Sequence, residues 1–242
     1  MIELCRYISF QRFCEILFNQ ELVLVKPEMW NDQYEGYIGR FIDTAEGKEK
    51  ISIYLKENHS ASEENIAHMQ DFIRLLCENT YCLCFSADID AEVMWNAYSY
   101  NSQAIMIITT DDELEKLNTP PSYDFEIRKV QYDLEDTGIM SICSLLGING
   151  KNVYVNSAHK FFTHKRKCFE YEKEYRIIVM STKYKGSKFA RYPIEDLSTF
   201  IKGVMVHPLA TESYDGLVKR MCEKFNLKYL GKSKIYSFDN IY

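Results

Sequence analysis

The segment Tyr81-Cys82-Leu83-Cys84-Phe85 is apolar throughout and is the clearest indication of the fold class of this chain. Five consecutive apolar residues leave no strand face for water, so we expect a central strand that is covered on both sides. Upstream of it, residues 38–79 have the apolar spacing of helices and divide near Asn58-His59-Ser60. Downstream, strands are expected near 104–110, 126–132, 173–181, 187–192, 201–206 and 228–238, and helices near 138–147, 152–166 and 211–225. Helices early and strands late predict an α+β fold, with helices packed on mostly antiparallel mixed sheets.

The N-terminal segment contains two further predicted strands. Residues 4–8 are typical of a short strand, and Ser9 is placed to cap a helix whose apolar residues follow the i, i+3, i+4, i+7 spacing. The second strand is Glu21–Val25. Since no Pro- or Gly-rich linker divides the chain, we expect one domain over residues 1–242, with the helical portion 38–79 packed on the β core.

Composition excludes several classes of protein. The 242 residues carry 29 Lys plus Arg against 35 Asp plus Glu, a net charge of −6 that disfavours a nucleic-acid coat or a basic membrane-surface protein. An apolar fraction of 46% is enough for a real core. The N-terminus lacks a signal-peptide pattern and the apolar runs are too short to cross a bilayer, so we expect a cytoplasmic protein without membrane contact. Eight cysteines without a C-x-x-C pair indicate free thiols rather than disulfides or a zinc site.

The most unusual local pattern is acidic and occupies 168–179, Cys-Phe-Glu-Tyr-Glu-Lys-Glu-Tyr-Arg-Ile-Ile-Val. If the whole segment is a strand, alternation places three glutamates and an arginine on one face, with neighbours roughly 6.7 Å apart. These residues are Glu170, Glu172, Glu174 and Arg176. The charges could protect a solvent-facing sheet edge, or they could line a cleft where a carboxylate meets a substrate hydroxyl or a metal ion.

Each of the other candidates has both structural and functional interpretations. Arg6, in the first strand, could extend to solvent, pair with a buried acid or bind a phosphate. Ser86, at the end of the central strand, is either a turn residue or a group displayed at a site. Trp95 and Tyr98, three apart on a short helix, suit core packing or stacking on a flat ligand.

Two further segments have the same ambiguity. Asn31, Asp32 and Glu35 could form a turn and a helix cap, or they could form the rim of a site together with Arg176. A basic run lies at the end of the predicted helix 152–166. Compensation of the helix dipole is its simplest explanation, and contact with nucleic-acid phosphate is the alternative. The residues of this run are Lys160, His164, Lys165, Arg166 and Lys167.

Five short motifs follow one another along the chain. They are Cys5-Arg6-Tyr7, Asn31-Asp32-Gln33-Tyr34-Glu35, Cys84-Phe85-Ser86, Met94-Trp95-Asn96-Ala97-Tyr98 and Tyr171-Glu172-Lys173-Glu174-Tyr175-Arg176. Together they resemble a bacterial and phage family known only as a domain of unknown function. Gln33 and Phe169 depart from the pattern of that family, which usually has proline and tryptophan there. The resemblance implies a context beside phage-defence genes, and it assigns no mechanism.

The order of Arg6, Ser86 and the late Glu172-x-Glu174 is similar to the arginine–serine–glutamate layout of ADP-ribosyltransferases. This second resemblance implies a split sheet, and it implies NAD as the substrate. It also implies roles, in which Arg6 holds an NAD phosphate, Ser86 braces the site and Glu174 accepts a hydrogen bond from the nicotinamide ribose. Glu172 would orient the accepting side chain. The chemistry needs no metal.

The function predicted on this basis is an NAD-consuming enzyme, used as a toxin or effector in phage defence. It would be either an ADP-ribosyltransferase that modifies a macromolecule or an NAD glycohydrolase, with Tyr98 or Trp95 stacked on nicotinamide. Two alternatives stay open. A non-catalytic module could hold a nucleotide or a phage protein in the same cleft, or a metal-dependent nuclease could use clustered carboxylates. The carboxylates of that nuclease would be Asp32, Glu35, Glu172 and Glu174.

Overall fold

The computed structural model describes residues 1–32, 34, 36–99, 101–118, 125–133, 143–149, 152–155 and 158–237. Short 3₁₀ turns connect several of its helices and strands. The elements in chain order are β1 (Glu3–Ser9), α1 (Phe10–Asn19), β2 (Glu21–Val25), α2 (Tyr37–Phe41), α3 (Ala45–His59), α4 (Glu63–Glu78), β3 (Thr80–Ser86), α5 (Glu92–Tyr98), β4 (Ala104–Thr110), α6 (Asp111–Glu115), β5 (Phe125–Lys129), β6 (Leu146–Asn149), β7 (Asn152–Val155), β8 (Glu174–Met180), β9 (Phe189–Pro193), α7 (Leu197–Phe200), β10 (Gly203–Val206), α8 (Glu212–Lys224) and β11 (Tyr229–Lys232).

Nine strands form one mixed sheet. Its hydrogen-bonded order is β11-β10-β4-β1-β3-β2-β9, with β8 beside β3 and β5 beside β8. Among these strand pairs, β10–β11 is parallel and the others are antiparallel. The hairpin β6–β7 forms a second, two-stranded sheet. With helices packed against these sheets, the predicted α+β class with mostly antiparallel pairing is confirmed.

The large sheet divides at β3. One edge of β3 pairs with β8 over the full length Thr80–Ser86. Within the described chain, the other edge meets β1 only through Cys5↔Ser86 and meets β2 only through Val25↔Cys82. β1 and β2 therefore diverge like the arms of a fork. The part of the β3 edge between the two arms has no strand beside it among the described residues, so the sheet is split.

Both faces of β3 are covered, as its composition predicts. Tyr81, Leu83 and Phe85 belong to the larger core cluster, which also contains residues of α1. Cys82 points to the opposite face and packs in a second cluster with residues of α3 and α4. None of these four side chains is more than 5% exposed. The prediction of a central strand covered on both sides is confirmed.

The N-terminal helix and the helical region follow their local signals. The Ser9 hydroxyl accepts the backbone N–H of Arg12 at 3.2 Å and caps α1, as predicted. The predicted break near His59 is confirmed, because Ser60 ends α3 with left-handed backbone (φ 50°). The region contains three helices rather than two, since a further break follows Phe41.

The start of α4 offers a local test of this helical layer. The Ser62 hydroxyl accepts the N–H of Asn65 at 3.2 Å, and the Asn65 side chain accepts the N–H of Ser62 at 3.3 Å. Replacing Ser62 by alanine removes one of these two bonds, and we expect the free energy of unfolding to fall by about 1 kcal/mol. Urea denaturation measures the change. Ser52→Ala, inside α3, is the control, and an equal effect of both substitutions would contradict the capping role.

One predicted helix is wrong. The described residues of 152–166 form β7, a 3₁₀ turn at Ala158–Phe162 and an extended segment after it. The N–H of Gln131 donates to the Thr163 carbonyl at 2.7 Å and holds that extended segment next to the end of β5. Pairing with a distant segment has overridden the local helical spacing.

The remaining predicted strands and helices agree with the structure to different degrees. The strands predicted downstream of β4 are present, although the last of them ends at Lys232 rather than near residue 238. The predicted helix 211–225 is present as α8. The predicted helix 138–147 lies mostly outside the described residues, and its last two positions belong to β6. In the described part of the chain, no helix combines the length and the apolar character needed to cross a membrane.

Candidate active site at the split of the sheet

Three residues from distant parts of the chain lie in one row across the sheet. Cys5 of β1 is directly opposite Ser86 of β3, and Ser86 is directly opposite Glu174 of β8. Opposed residues on antiparallel strands share a sheet face, and neighbouring strands are about 5 Å apart. The strand register therefore brings the start of the chain, the end of β3 and the start of β8 to one place beside the split.

A cavity of about 440 Å³ opens at this row. Charged, hydroxyl and thiol groups line it together with aromatic rings from several elements. The lining residues that carry this chemistry are Arg6, Trp30, Asp32, Cys84, Ser86, Tyr98, Lys165, Glu172 and Glu174. Seven candidates from the sequence thus share one cavity, namely Arg6, Asn31, Asp32, Ser86, Tyr98, Glu172 and Glu174, and Trp30 and Lys165 join them.

Glu174 and Arg176 form the buried ionic centre of the site. The Nε and Nη2 atoms of Arg176 each donate to Glu174 Oε1 at 2.7 Å. Arg176 is 0% exposed and Glu174 is 2% exposed. Arg176 therefore lies beneath the cavity and not at its rim, where it was expected. Two ionised groups are stable at such depth because each neutralises the other.

Lys165 completes this centre. Its Nζ donates to Glu172 Oε2 at 2.6 Å and to Glu174 Oε2 at 3.2 Å, and the residue is 5% exposed. The prediction that this lysine compensates a helix dipole is wrong. Lys165 lies on an extended segment after a 3₁₀ turn, and its ammonium group is directed to the two buried carboxylates. The signal that could have found Lys165 was the group of carboxylates itself, since buried carboxylates require a counter-charge.

Glu172 reaches the cavity from a 3₁₀ turn and not from a strand. The strand predicted near 173–181 is present as β8, but the segment 168–179 is not a strand over its whole length. Lys167–Glu172 forms that turn, which ends at Lys173 with left-handed backbone (φ 42°). Glu170 is exposed, so two of the three predicted glutamates enter the site. The interpretation in which these charges protect a solvent-facing sheet edge is also wrong. β8 is not an edge strand, because it pairs with β3 on one side and with β5 on the other.

Ser86 fastens this turn to the sheet. Its hydroxyl donates to the Glu172 carbonyl at 2.7 Å and accepts the N–H of Asp88 at 3.0 Å. The N–H of Ala87 continues the attachment by donating to the Lys173 carbonyl at 3.0 Å. Ser86 is 2% exposed, so its contacts fix the backbone that carries Glu172.

Arg6 occupies the split itself. Its Nη1 donates to the Cys84 carbonyl, which lies on the part of the β3 edge that neither arm pairs. A buried carbonyl without a partner would be costly, and the guanidinium supplies the missing bond. Burial lowers the pKa of Arg6 from its ordinary value. Arg6 also lines a second cavity, of about 350 Å³, formed with residues of α1 and β2.

Five aromatic residues line the cavity, namely Tyr7, Trp30, Phe85, Tyr98 and Phe169. Trp95 is 1% exposed inside the core, so the stacking role predicted for it is not available. The Trp95 Nε1–H donates to Asp90 Oδ1 at 2.7 Å, which holds this ring in the core. Sequence reasoning missed Trp30, whose ring centre lies 4.3 Å from the guanidinium carbon of Arg176 and which also lines the cavity.

The predicted rim residues lie only partly in the described chain. Asn31 and Asp32 both line the cavity. Asp32 Oδ1 pairs with Arg166 Nη2 at 3.1 Å, and the Arg166 guanidinium carbon lies 4.5 Å from the ring centre of Tyr34. Glu35 lies outside the described residues. One face of the cavity mouth is thus built from a loop that an arginine of the basic run holds in place.

The pKa of Glu174 gives folding a pH dependence. Burial raises this pKa, but the charges of Arg176 and Lys165 outweigh burial and hold it below the usual glutamate value. As pH falls, the unfolded chain therefore takes up this proton first, near the ordinary pKa of about 4.3. Ionised Glu174 stabilises the native state above that pH, and this contribution is lost as pH falls through the lowered native pKa.

Urea titrations between about pH 7 and about pH 3 measure this dependence. We expect the free energy of unfolding to fall more steeply with decreasing pH in the wild type than in Glu174→Gln, which has no proton to take up. Parallel curves for the two proteins would contradict the lowered pKa of Glu174.

The family comparison covers the later motifs. Residues 94–177, roughly a third of the chain, match the model of a family described as a protein of unknown function, DUF2971. The matched part contains both Met94-Trp95-Asn96-Ala97-Tyr98 and Tyr171-Glu172-Lys173-Glu174-Tyr175-Arg176. This match supports the resemblance to a family of unknown function. None of the curated proteins matches the sequence.

Two solved structures of DarT from Thermus sp. 2.9 are similar to this chain over most of its length. The complex with ADP-ribosylated ssDNA has 8% sequence identity and a TM-score of 0.38, and the match covers 94% of this chain and 92% of that chain. The complex with NAD+ has 7% identity and a TM-score of 0.39, with 94% and 93% covered. With both TM-scores below 0.5, neither similarity bears on the chemistry of the cavity.

Proposed function

We propose that this protein consumes NAD at the split of the sheet. It would break the bond between nicotinamide and ribose and pass ADP-ribose to a macromolecular acceptor or to water. The observation that carries the proposal is the single cavity shared by Arg6, Ser86, Glu172 and Glu174. A cation for phosphate, a bracing hydroxyl and two fixed carboxylates are the groups that this reaction uses.

Glu174 is the group proposed to face the ribose. When the nicotinamide–ribose bond breaks, its electron pair leaves with nicotinamide and positive charge develops on ribose, as in glycoside hydrolysis. A carboxylate stabilises that charge best when it is held in place beforehand. Three N–H bonds from Arg176 and Lys165 hold Glu174. The Cys84 thiol, a weak donor, also hydrogen-bonds to it, and a ribose hydroxyl would take the place of that thiol.

Glu172 is proposed to act on the acceptor. It lies on a turn at the wall of the cavity, next to the strand that carries Glu174. When water or an acceptor group attacks ribose C1, the new bond forms at that carbon and the attacking atom loses a proton. The Glu172 carboxylate would orient the acceptor and receive the proton.

The position of Arg6 favours a dinucleotide over a smaller ligand. Arg6 lines both the 440 Å³ cavity and the 350 Å³ cavity, so a diphosphate at its guanidinium would have room for a nucleoside on either side. A guanidinium has five N–H donors, and the Cys84 carbonyl uses one of them. Arg12 also lines both cavities and adds a second guanidinium for the phosphates.

Incubation of the purified protein with NAD tests the proposal. We expect release of nicotinamide, with ADP-ribose either free in solution, as in hydrolysis, or attached to a macromolecule from a cell extract when radiolabelled NAD is used. Thermal stabilisation by NAD without nicotinamide release would replace the proposal by a non-catalytic nucleotide-binding module. If the protein neither releases nicotinamide nor is stabilised by NAD, both the proposed enzyme and the nucleotide-binding module are overturned. A toxin role in phage defence would appear as a fall in cellular NAD on expression.

A further inference from the structure

Lys165 is a buried cation of the cavity that bonds to both carboxylates of the proposed reaction. The Nζ of Lys165 lies 2.6 Å from Glu172 Oε2 and 3.2 Å from Glu174 Oε2. Its backbone N–H donates to the Gln131 carbonyl at 2.9 Å, and the ring of Phe169 covers the ammonium at 4.8 Å. A hydrogen bond holds the backbone of this lysine, and two carboxylates and an aromatic ring hold its ammonium group. Lys165 is therefore a rigid link between the two carboxylates.

We propose that Lys165 is a positioning residue that joins Glu172 and Glu174 into one carboxylate pair and sets the distance between them. This inference rests on the proposed function, in which one carboxylate faces the ribose and the other faces the acceptor. Glu174 is already fixed on β8 by Arg176, whereas Glu172 is carried by a turn that Ser86 attaches through its backbone. Because Lys165 bonds to both carboxylates, it holds the Glu172 carboxylate on the turn in a fixed position relative to the Glu174 carboxylate on the strand.

The charge balance of the cluster gives a second reason for this role. Glu172 and Glu174 bring two negative charges, and Lys165 and Arg176 bring two positive charges, all on residues that are at most 7% exposed. Without Lys165, a buried site would keep one uncompensated negative charge, and a carboxylate there would take up a proton at higher pH. A protonated carboxyl group neither stabilises a developing cation nor receives the proton of an acceptor.

Other titratable groups face the pair from the elements packed around it. They are Arg6 on β1, Cys84 on β3, Tyr98 on α5, Tyr132 after β5 and Tyr171 on the turn. Burial raises the pKa of all three tyrosines, that of Tyr132 to about 12, so these phenols stay neutral in acid. Changes of charge at the site in the acid range therefore belong to the carboxylates.

Lys165→Met tests the proposal, since it keeps the length of the side chain and removes its charge. We expect kcat for NAD cleavage to fall about 100-fold with KM little changed, because small misplacements of reacting groups cost this much. The acid limb of the pH–kcat profile should move to higher pH, which a merely structural loss would not produce. Lys165→Arg, which keeps the charge and can span two carboxylates, should restore part of the rate and the acid limb. Lys202→Met, at a lysine bound to Glu113 outside the cavity, should have wild-type kinetics.

A titration of side-chain carboxyl carbons by NMR separates this proposal from the proposed function, because it needs no NAD. The Glu174 signal, assigned by its loss in Glu174→Gln, should titrate at higher pH in Lys165→Met than in the wild type. An unmoved titration would overturn the role of Lys165, whereas a wild type that leaves NAD intact would overturn only the proposed function. If Lys165→Met does not fold, the wild-type signal decides, and titration of Glu174 in the ordinary glutamate range would refute the proposal.

Discussion

Arg176→Met is expected to lower the free energy of unfolding by about 3–5 kcal/mol, the cost of leaving a buried charge without its partner. The substitution removes two of the N–H donors of Glu174 and leaves Lys165 to balance it. The Phe162 carbonyl, which accepts from Arg176 Nη1 at 2.5 Å, would lose that donor. The ring of Trp30 would lose the guanidinium packed on it. Urea denaturation followed by circular dichroism measures the loss.

Arg191→Met is the matched control for this prediction. Arg191 also lies on a strand and pairs with a glutamate, Glu21, but 55% of its side chain is exposed. Exposed pairs contribute about 0–1 kcal/mol, so we expect a loss no larger than that. Equal losses for Arg176→Met and the control would show that the buried pair does not stabilise the fold.

Glu174→Gln is expected to lower the kcat of NAD cleavage by about 100-fold or more, since a neutral amide cannot balance the charge that develops on ribose. The amide has nearly the same shape, so NAD should still bind and KM should change little. A loss confined to kcat is the sign of an interaction made in the transition state. Nicotinamide release under saturating NAD measures it. Equal release by the variant and the wild type would remove Glu174 from the mechanism.

Glu113→Gln separates this effect from a loss of folding. Glu113 is also buried, and it pairs with Lys116 and Lys202, each at 2.9 Å, at the start of α6. We expect it to lose stability much as Glu174→Gln does while it keeps wild-type NAD kinetics. If Glu113→Gln lost as much activity, the effect of Glu174→Gln would have to be assigned to stability.

Features that depend on a short window of sequence were predictable. The apolar run of β3, the cap at Ser9 and the break at Ser60 each follow from the order of polar and apolar residues along a few turns or a few strand positions. The alternation that places Glu174 and Arg176 on one face of β8 is of the same kind, and their ion pair agrees with it. Such features are properties of one segment, so no knowledge of its neighbours is needed.

Features that depend on a partner segment were not predictable in this way. Residues 152–166 have helical spacing, yet a hairpin and pairing with Gln131 decide the structure of the described part of this range. Glu172 appeared to continue the strand of Glu174, but a left-handed residue at Lys173 turns the chain before β8 begins. Trp95, for which core packing and stacking on a ligand were both open, lies in the core, and Trp30, for which no role was predicted, lines the cavity. Exposure depends on what packs against a ring.

Periodicity along the chain was enough to predict an α+β fold with a doubly covered central strand, and to place the polar groups of Arg6, Ser86 and Glu174 on or beside strands. That these groups share a cavity at a split in the sheet, and that Lys165 joins the carboxylates there, follows from the packing of distant segments. The physical reason is that periodicity encodes which side of a segment avoids water. The counter-charge that a buried group meets is set instead by the register between strands far apart in the chain.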